Sequence, residues 1–158
     1  MDKAAKKADR STNSGVVEAY SHEGRIGVLV EVLCETDFVA RNEEFKQLAH
    51  DLALQVAAMS PKYVSPDSVP AEVVEEQRNR ASEQARSEGK PEAVIEKIAN
   101  GKLEKYYSEV CLLNQAFIKD QDKTVGELVN EKVAKIGERI QVARFVRFEL
   151  GESSDKSI

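Results

Sequence analysis

Apolar and polar positions along this chain change period several times, and each change marks an element. Val28, Val30, Val32 and Cys34 alternate with Leu29, Glu31, Leu33 and Glu35, so Ile26 to Cys34 predicts a strand. Val16 to Tyr20 predicts an earlier strand, with Ser21-His22-Glu23-Gly24-Arg25 as the turn of a hairpin. From Glu43 to Met59 the period becomes helical, with Phe45, Leu48, Ala49, Leu52, Val56 and Met59 on one stripe. Asn42 suits its N-cap, Glu43 and Glu44 suit its first turn, and Ser60-Pro61 stops it.

Tyr63-Val64 reads as short and extended, and residues 65–70 as a loop. Ala71 to Glu88 is rich in Glu, Gln, Arg and Ala, with a narrow apolar stripe of Val74, Ala81 and Ala85, which predicts a solvated, projecting helix. Gly89-Lys90-Pro91 breaks it. Val94, Ile95, Ile98, Leu103, Tyr106, Tyr107 and Val110 predict a second helix that returns as a hairpin, with a bend expected at Gly101. Leu112 to Ile118 reads as a buried extended segment and Asp120-Gln121-Asp122-Lys123 as a turn. Thr124 caps a helix to Ile136, and Gly137 suits its C-cap. The last strand is expected from Ile140 to Leu150. Ile140, Val142, Val146, Phe148 and Leu150 would share its inner face with Arg144, which there needs a partner, a polar edge or a ligand.

Strands first and last with helices between give an α+β fold: a small three-stranded antiparallel sheet packed against helices, with a projecting helical hairpin. A three-stranded sheet has edges that a second copy can pair with, so a homodimer is expected. Residues 1–14 read as a basic helix or linker remnant carrying Lys3, Lys6, Lys7 and Arg10, residues 15–152 as the core domain, and residues 153–158 as a polar, disordered tail.

The connection Thr36-Asp37-Phe38-Val39 departs from the usual small polar turn. Two readings fit Phe38: a ring folded back onto the core, or an exposed wedge beside an acid, the usual make-up of an interface anchor.

Composition narrows the chemistry. A net charge of −5 over 158 residues argues against a nucleic-acid groove as the main site. The apolar runs all fall short of the roughly 20 residues of a membrane span. Cys34 and Cys111 lie far apart without a CxxC pairing and read as reduced, buried thiols, with a disulfide or a subunit contact as the alternative. His22 and His50 have no companion at metal-ligand spacing, His50 reads as a helix-surface or boundary residue, and no phosphate-loop or dinucleotide fingerprint is present. Gly24-Arg25-Ile26-Gly27 matches the GxxG clamp of RNA-binding KH domains but sits in a hairpin, where it reads as a turn. Glu35 and Asp37 are a carboxylate pair near a loop, yet no other polar constellation supports acid–base catalysis, so no enzyme is expected.

The run Cys34-Glu35-Thr36-Asp37-Phe38-Val39-Ala40-Arg41-Asn42-Glu43-Glu44-Phe45 resembles the signature of the translation elongation factor Ts family. Glu109 to Asp120 resembles a second family block, and Lys135-Ile136-Gly137-Glu138 followed by Arg144 to Glu149 a third. The resemblance spans about residues 3 to 152. It implies a non-enzymatic guanine-nucleotide exchange factor that binds EF-Tu and promotes GDP release, in the cytoplasm of a bacterial-type system or in an organelle. It implies no cofactor and no direct binding of nucleotide, nucleic acid or membrane. Thr36, Asp37, Phe38 and Val39 would be the partner-binding residues, entering the G domain near its Mg²⁺ and phosphate site. Arg144 and Arg147 are further contact candidates, although an Arg on a strand also reads as solvated or ion-paired. The small three-helix domain that the family carries before this point is expected to be absent, which makes the chain a core fragment or processed form. The alternative from another class is a structural dimerisation module without exchange activity.

Overall fold

The computed structural model describes residues 7–152. Residues 1–6 of the expected basic helix or linker and the whole expected tail lie outside the described residues, and Lys7, Ala8 and Asp9 form a turn. The described residues make two compact units, one running up to Ser60 and resuming from Ala116, the other spanning Pro61–Gln115.

In the first unit, β1 (Ser14–His22) and β2 (Ile26–Cys34) form the expected hairpin, and β5 (Gln141–Glu149) lies on the other side of β2. The sheet is antiparallel, in the order β1-β2-β5. Val28, Val30, Val32 and Cys34 are buried on its inner face. Helix α2 (Glu43–Met59) covers that face with Phe45, Leu48, Ala49, Leu52 and Val56. Its start is fixed by Asn42, whose side-chain oxygen accepts from Glu44 N at 2.7 Å and Phe45 N at 3.3 Å. Helix α5 (Val125–Ile136) packs on α2. Thr124 and Glu127 form its capping box, and Gly137, at φ 89°, takes the left-handed turn that ends it.

Beyond the segment after β2, the first unit departs from expectation at its later strands. The segment read as a turn is strand β4 (Asp120–Thr124), which pairs with a short β3 (Ala116–Phe117). The reason lies in a buried polar side chain with no periodic signature. Gln55 Nε2 donates to the Ala116 carbonyl at 3.0 Å and Gln55 Oε1 accepts from Ile118 N at 2.9 Å, fixing the backbone on both sides of buried Phe117.

The second departure is a β-bulge. Glu31 pairs with Arg144 but Val32 pairs with Val142, so Ala143 is an extra residue and the side-chain alternation flips after it. Val142 is buried as expected, but Phe145 and Arg147 take the inner positions beyond the bulge, while Arg144, Val146 and Phe148 face outward. Arg144 therefore needs no core partner; its Nε donates to Glu31 Oε1 at 2.9 Å across the exposed face. Arg147 is the inward cation, with its side chain 11% exposed. It donates from Nε and Nη2 to the Ala57 carbonyl in the last turn of α2, where a cation opposes the negative helix end, and pairs with Glu149 at 3.0 Å. The outer face is left with Val17 62% and Phe148 68% exposed, beside Leu29 and Val146.

The second unit is the expected helical hairpin, α3 (Ala71–Ser87) and α4 (Glu92–Val110). Within these two helices Ala81, Ala85, Ile95, Ala99 and Leu103 are buried, and the alanines leave room for the two backbones to approach closely. Arg78 donates to Asn100, and Arg86 Nε donates to Glu92 at 3.0 Å across the connection. Helix α4 runs unbroken through Gly101: the helix's own hydrogen bonds outweigh the roughly 1 kcal/mol cost of one glycine. The extended run expected from Leu112 begins instead as a 3-10 turn, Leu112–Asn114, because Leu112 N and Leu113 N donate to the carbonyls of Tyr63 and Val64. None of the helices among the described residues is long and apolar enough to cross a membrane.

Both cysteines are free and fully buried, as the thiol reading expects. Burial pushes the Cys111 thiol up to about 11 and raises Cys34 as well, with the Glu138 charge adding to the effect at Cys34. The folded chain thus holds these protons more tightly than the unfolded chain does. Their contribution to stability is complete below the ordinary thiol value and is lost as pH rises through the folded values. Urea midpoints should fall between about pH 9 and 11, and a thiol reagent at pH 8 should find no fast thiol before unfolding. A fast thiol in the native chain would contradict this burial. Gly15 offers a second test. Its φ is +153°, and a Cβ there would lie 2.1 Å from the Val32 carbonyl oxygen. Gly15→Ala should cost about 1–3 kcal/mol in urea unfolding.

Candidate functional site

Strand β2 pairs with β1 as far as Cys34 and with β5 as far as Leu33, and the chain then leaves the sheet. Leaving exposes a problem of backbone satisfaction, since the next amides have no strand partner. Glu138 supplies the acceptors. Its Oε1 accepts from Glu35 N at 3.0 Å and from Thr36 N at 3.1 Å, and its Oε2 accepts from the Thr36 hydroxyl at 2.8 Å. In return the Glu35 carboxylate accepts from Arg139 N and lies 3.6 Å from Arg10 Nη1.

The segment read as a connection is itself one helical turn, α1 (Asp37–Ala40). Thr36 is its N-cap, with the side-chain oxygen accepting from Val39 N at 3.3 Å. The Thr36 carbonyl accepts from Ala40 N at 3.1 Å and from the buried Cys34 thiol at 3.3 Å. Asn42 N donates to the Val39 carbonyl at 2.9 Å, so the turn runs directly into the cap of α2.

Helical geometry separates the four expected site residues. Val39 is 5% exposed and, with Ala40, anchors the turn in the core. Thr36 is exposed but committed to the cap and to Glu138. Asp37 and Phe38 point outward, and Phe38 is 76% exposed, the highest among the exposed large apolar side chains of the described residues. A Phe folded back onto the core is therefore not what the chain adopts. Neither the clamp by Glu138 nor its return through Glu35 was foreseen. The partners are more than 100 residues apart, and no local spacing signals them.

The two histidines are occupied locally. His50 Nδ1 lies 3.2 Å from Glu18 Oε2, and His22 Nδ1 lies 2.9 Å from the Tyr20 hydroxyl. His50 is half-buried, which fits a helix-boundary residue. Among the described residues no group of three or more His, Cys, Asp or Glu is placed to hold a metal ion. What the site offers is a large apolar ring and a carboxylate, held out from the protein on a turn whose backbone is fixed on both flanks.

Comparison with known proteins agrees with the motif blocks. The family profile described as Elongation factor TS matches residues 3–152. Elongation factor Ts of Carboxydothermus hydrogenoformans is 58% identical over 154 residues, covering 97% of this chain and 71% of the relative. Elongation factor Ts of Moorella thermoacetica is 57% identical over 150 residues, covering 94% and 74%. That of Desulforamulus reducens is 55% identical over 154 residues, covering 97% and 71%. The matched span includes β2, the α1 turn and Glu138, and on this ground the chain belongs to the elongation factor Ts family, a family of translation elongation factors.

Proposed function

We propose that this chain is a guanine-nucleotide exchange factor for EF-Tu in bacterial-type translation, working in the cytoplasm or in an organelle. Residues 15–152 would carry the activity, without catalysing a covalent step or binding the nucleotide themselves. The observation that supports this reading is the 76% exposure of Phe38 on a turn that is otherwise anchored. Holding a large apolar side chain in water is unfavourable for the free protein, and a partner groove reverses it. Full burial of such a ring is worth about 1.5–3 kcal/mol. Asp37, one residue earlier, offers a carboxylate to nearby donors. Thr36 and Val39 act in this reading as the frame of the wedge, and Asp37 and Phe38 as its contact surface.

Insertion near the Mg²⁺ and phosphate site of the G domain would displace groups that hold GDP. The factor must then bind nucleotide-free EF-Tu more tightly than the GDP form, since a ligand with equal affinity for both shifts nothing. By reciprocity, nucleotide weakens the factor's grip by the same ratio, which releases the factor when a new nucleotide enters.

A homodimer is a second reading, and one observation favours it. The flipped alternation beyond Ala143 leaves Val17, Leu29, Val146 and Phe148 together on the outer sheet face. A second copy would pack face to face on this patch, where the sequence suggested pairing of edges. Sedimentation should then show a concentration-dependent dimer that Phe148→Glu converts to monomer; a wild-type chain that stays monomeric at high micromolar concentration would remove this reading.

The wedge is tested by Phe38→Ala. Because the ring makes little contact within the chain, the variant should unfold within about 0.5 kcal/mol of wild type. Release of a fluorescent GDP analogue from EF-Tu should slow by about 10-fold to 100-fold at a given factor concentration. Unchanged release would sink the wedge, and a large loss of stability would return Phe38 to a structural role.

A further inference from the structure

We infer that Glu138 is a positioning residue for the exchange loop: its carboxylate holds the backbone at Glu35 and Thr36 so that the α1 turn presents Phe38 in one direction. This inference rests on the exchange reading above. Helix α1 has four residues, far too few to be stable by its own hydrogen bonds. Its direction must come from its ends. At the C-terminal end Val39 and Ala40 are buried and Asn42 caps α2. At the N-terminal end three hydrogen bonds converge on the single carboxylate of Glu138.

Glu138 also orients the cap. The Thr36 hydroxyl has one proton, and donating it to Glu138 Oε2 leaves an oxygen lone pair for Val39 N. The anchor itself is firm. Glu138 follows Gly137, the left-handed residue that ends α5. Helix α5 is tied to the first turn of α2 by Lys132 and Lys135, whose amines lie 3.1 and 2.8 Å from Glu44 Oε1. The Glu35 carboxylate on the Arg139 amide closes the lock from the opposite direction. Removing Glu138 would leave two amides and a hydroxyl without their acceptor and free the turn to rotate. A misplacement of about 1 Å can cost on the order of 100-fold in a step that depends on geometry.

Two conservative variants separate positioning from a direct charge contact with the partner. Glu138→Gln keeps the reach and one acceptor oxygen for the two amides, turns the Thr36 contact into a donation from its NH₂ group to the hydroxyl oxygen, and loses the charge. Glu138→Asp keeps the charge but is one methylene too short for all three donors. The measurement is the maximal rate of GDP release from EF-Tu at saturating factor, together with the half-saturating concentration, for each variant alone and combined with Phe38→Ala. Positioning predicts that Glu138→Gln stays within about 2-fold of wild type. It predicts that Glu138→Asp lowers the maximal rate about 10-fold or more, with a smaller change in half-saturation. With Phe38→Ala present, the two should no longer differ.

A slow Gln variant beside a fast Asp variant would overturn the inference in favour of a charge contact. Wild-type rates from both, or a gap that persists in the Phe38→Ala background, would also overturn it. Should Glu138→Asp fail to fold, Glu35→Asp withdraws the reciprocal acceptor from the Arg139 amide, and a wild-type maximal rate from it overturns the lock. Failure of the exchange reading is distinguishable, because the wild-type chain itself then leaves GDP release unaccelerated, whereas a wild-type rate from Phe38→Ala removes the wedge alone.

Discussion

Strand β2 must satisfy its backbone on two sides and bury one face, and this double constraint places the rest of the first unit. The apolar row Val28, Val30, Val32 and Cys34 requires a covering helix, which α2 provides. The two free edges require partners, which β1 and β5 provide. Where β2 ends, the same accounting continues past the sheet. The amides of Glu35 and Thr36 find Glu138, and the turn that follows is capped by Thr36. The site is thus the solution to ending a buried strand next to a helix, with one apolar side chain turned outward.

How much of this was legible depended on distance along the chain. The bounds Ile26–Cys34 and Glu43–Met59 match expectation because period and caps are local signals. The peculiar composition of Thr36 to Val39 was also visible, but its helical turn was not, so Val39 could not be separated from Phe38. Ala143 looks like any strand residue, and nothing local marks it as the bulge that reverses the last strand's faces. Strand β4 is charged and exposed, and its partner is set by Gln55 on a distant helix, so periodicity had nothing to read. Glu138 lies beyond any local rule, although it falls within a block that resembles the family's third motif.

The bulge has a consequence for how surfaces are divided. Phe148 pairs with Gly27 at the start of β2, while Phe38 follows its end. Gly27 and Cys34 are seven positions apart on β2, a span of about 23 Å at the usual rise per residue. Phe148 and Phe38 therefore flank opposite ends of β2. Self-association through the outer sheet face and docking through the α1 turn can use separate surfaces. On this division, a chain engaged in one of the proposed contacts would keep the other available.

The measurement that bears most directly on the account is stopped-flow release of a fluorescent GDP analogue from EF-Tu, titrated with the wild-type chain. The account predicts a release rate that rises with chain concentration and reaches a plateau, as expected when a bound complex lets go of nucleotide faster than EF-Tu alone. A release rate independent of chain concentration, with the chain folded and in excess, would contradict it.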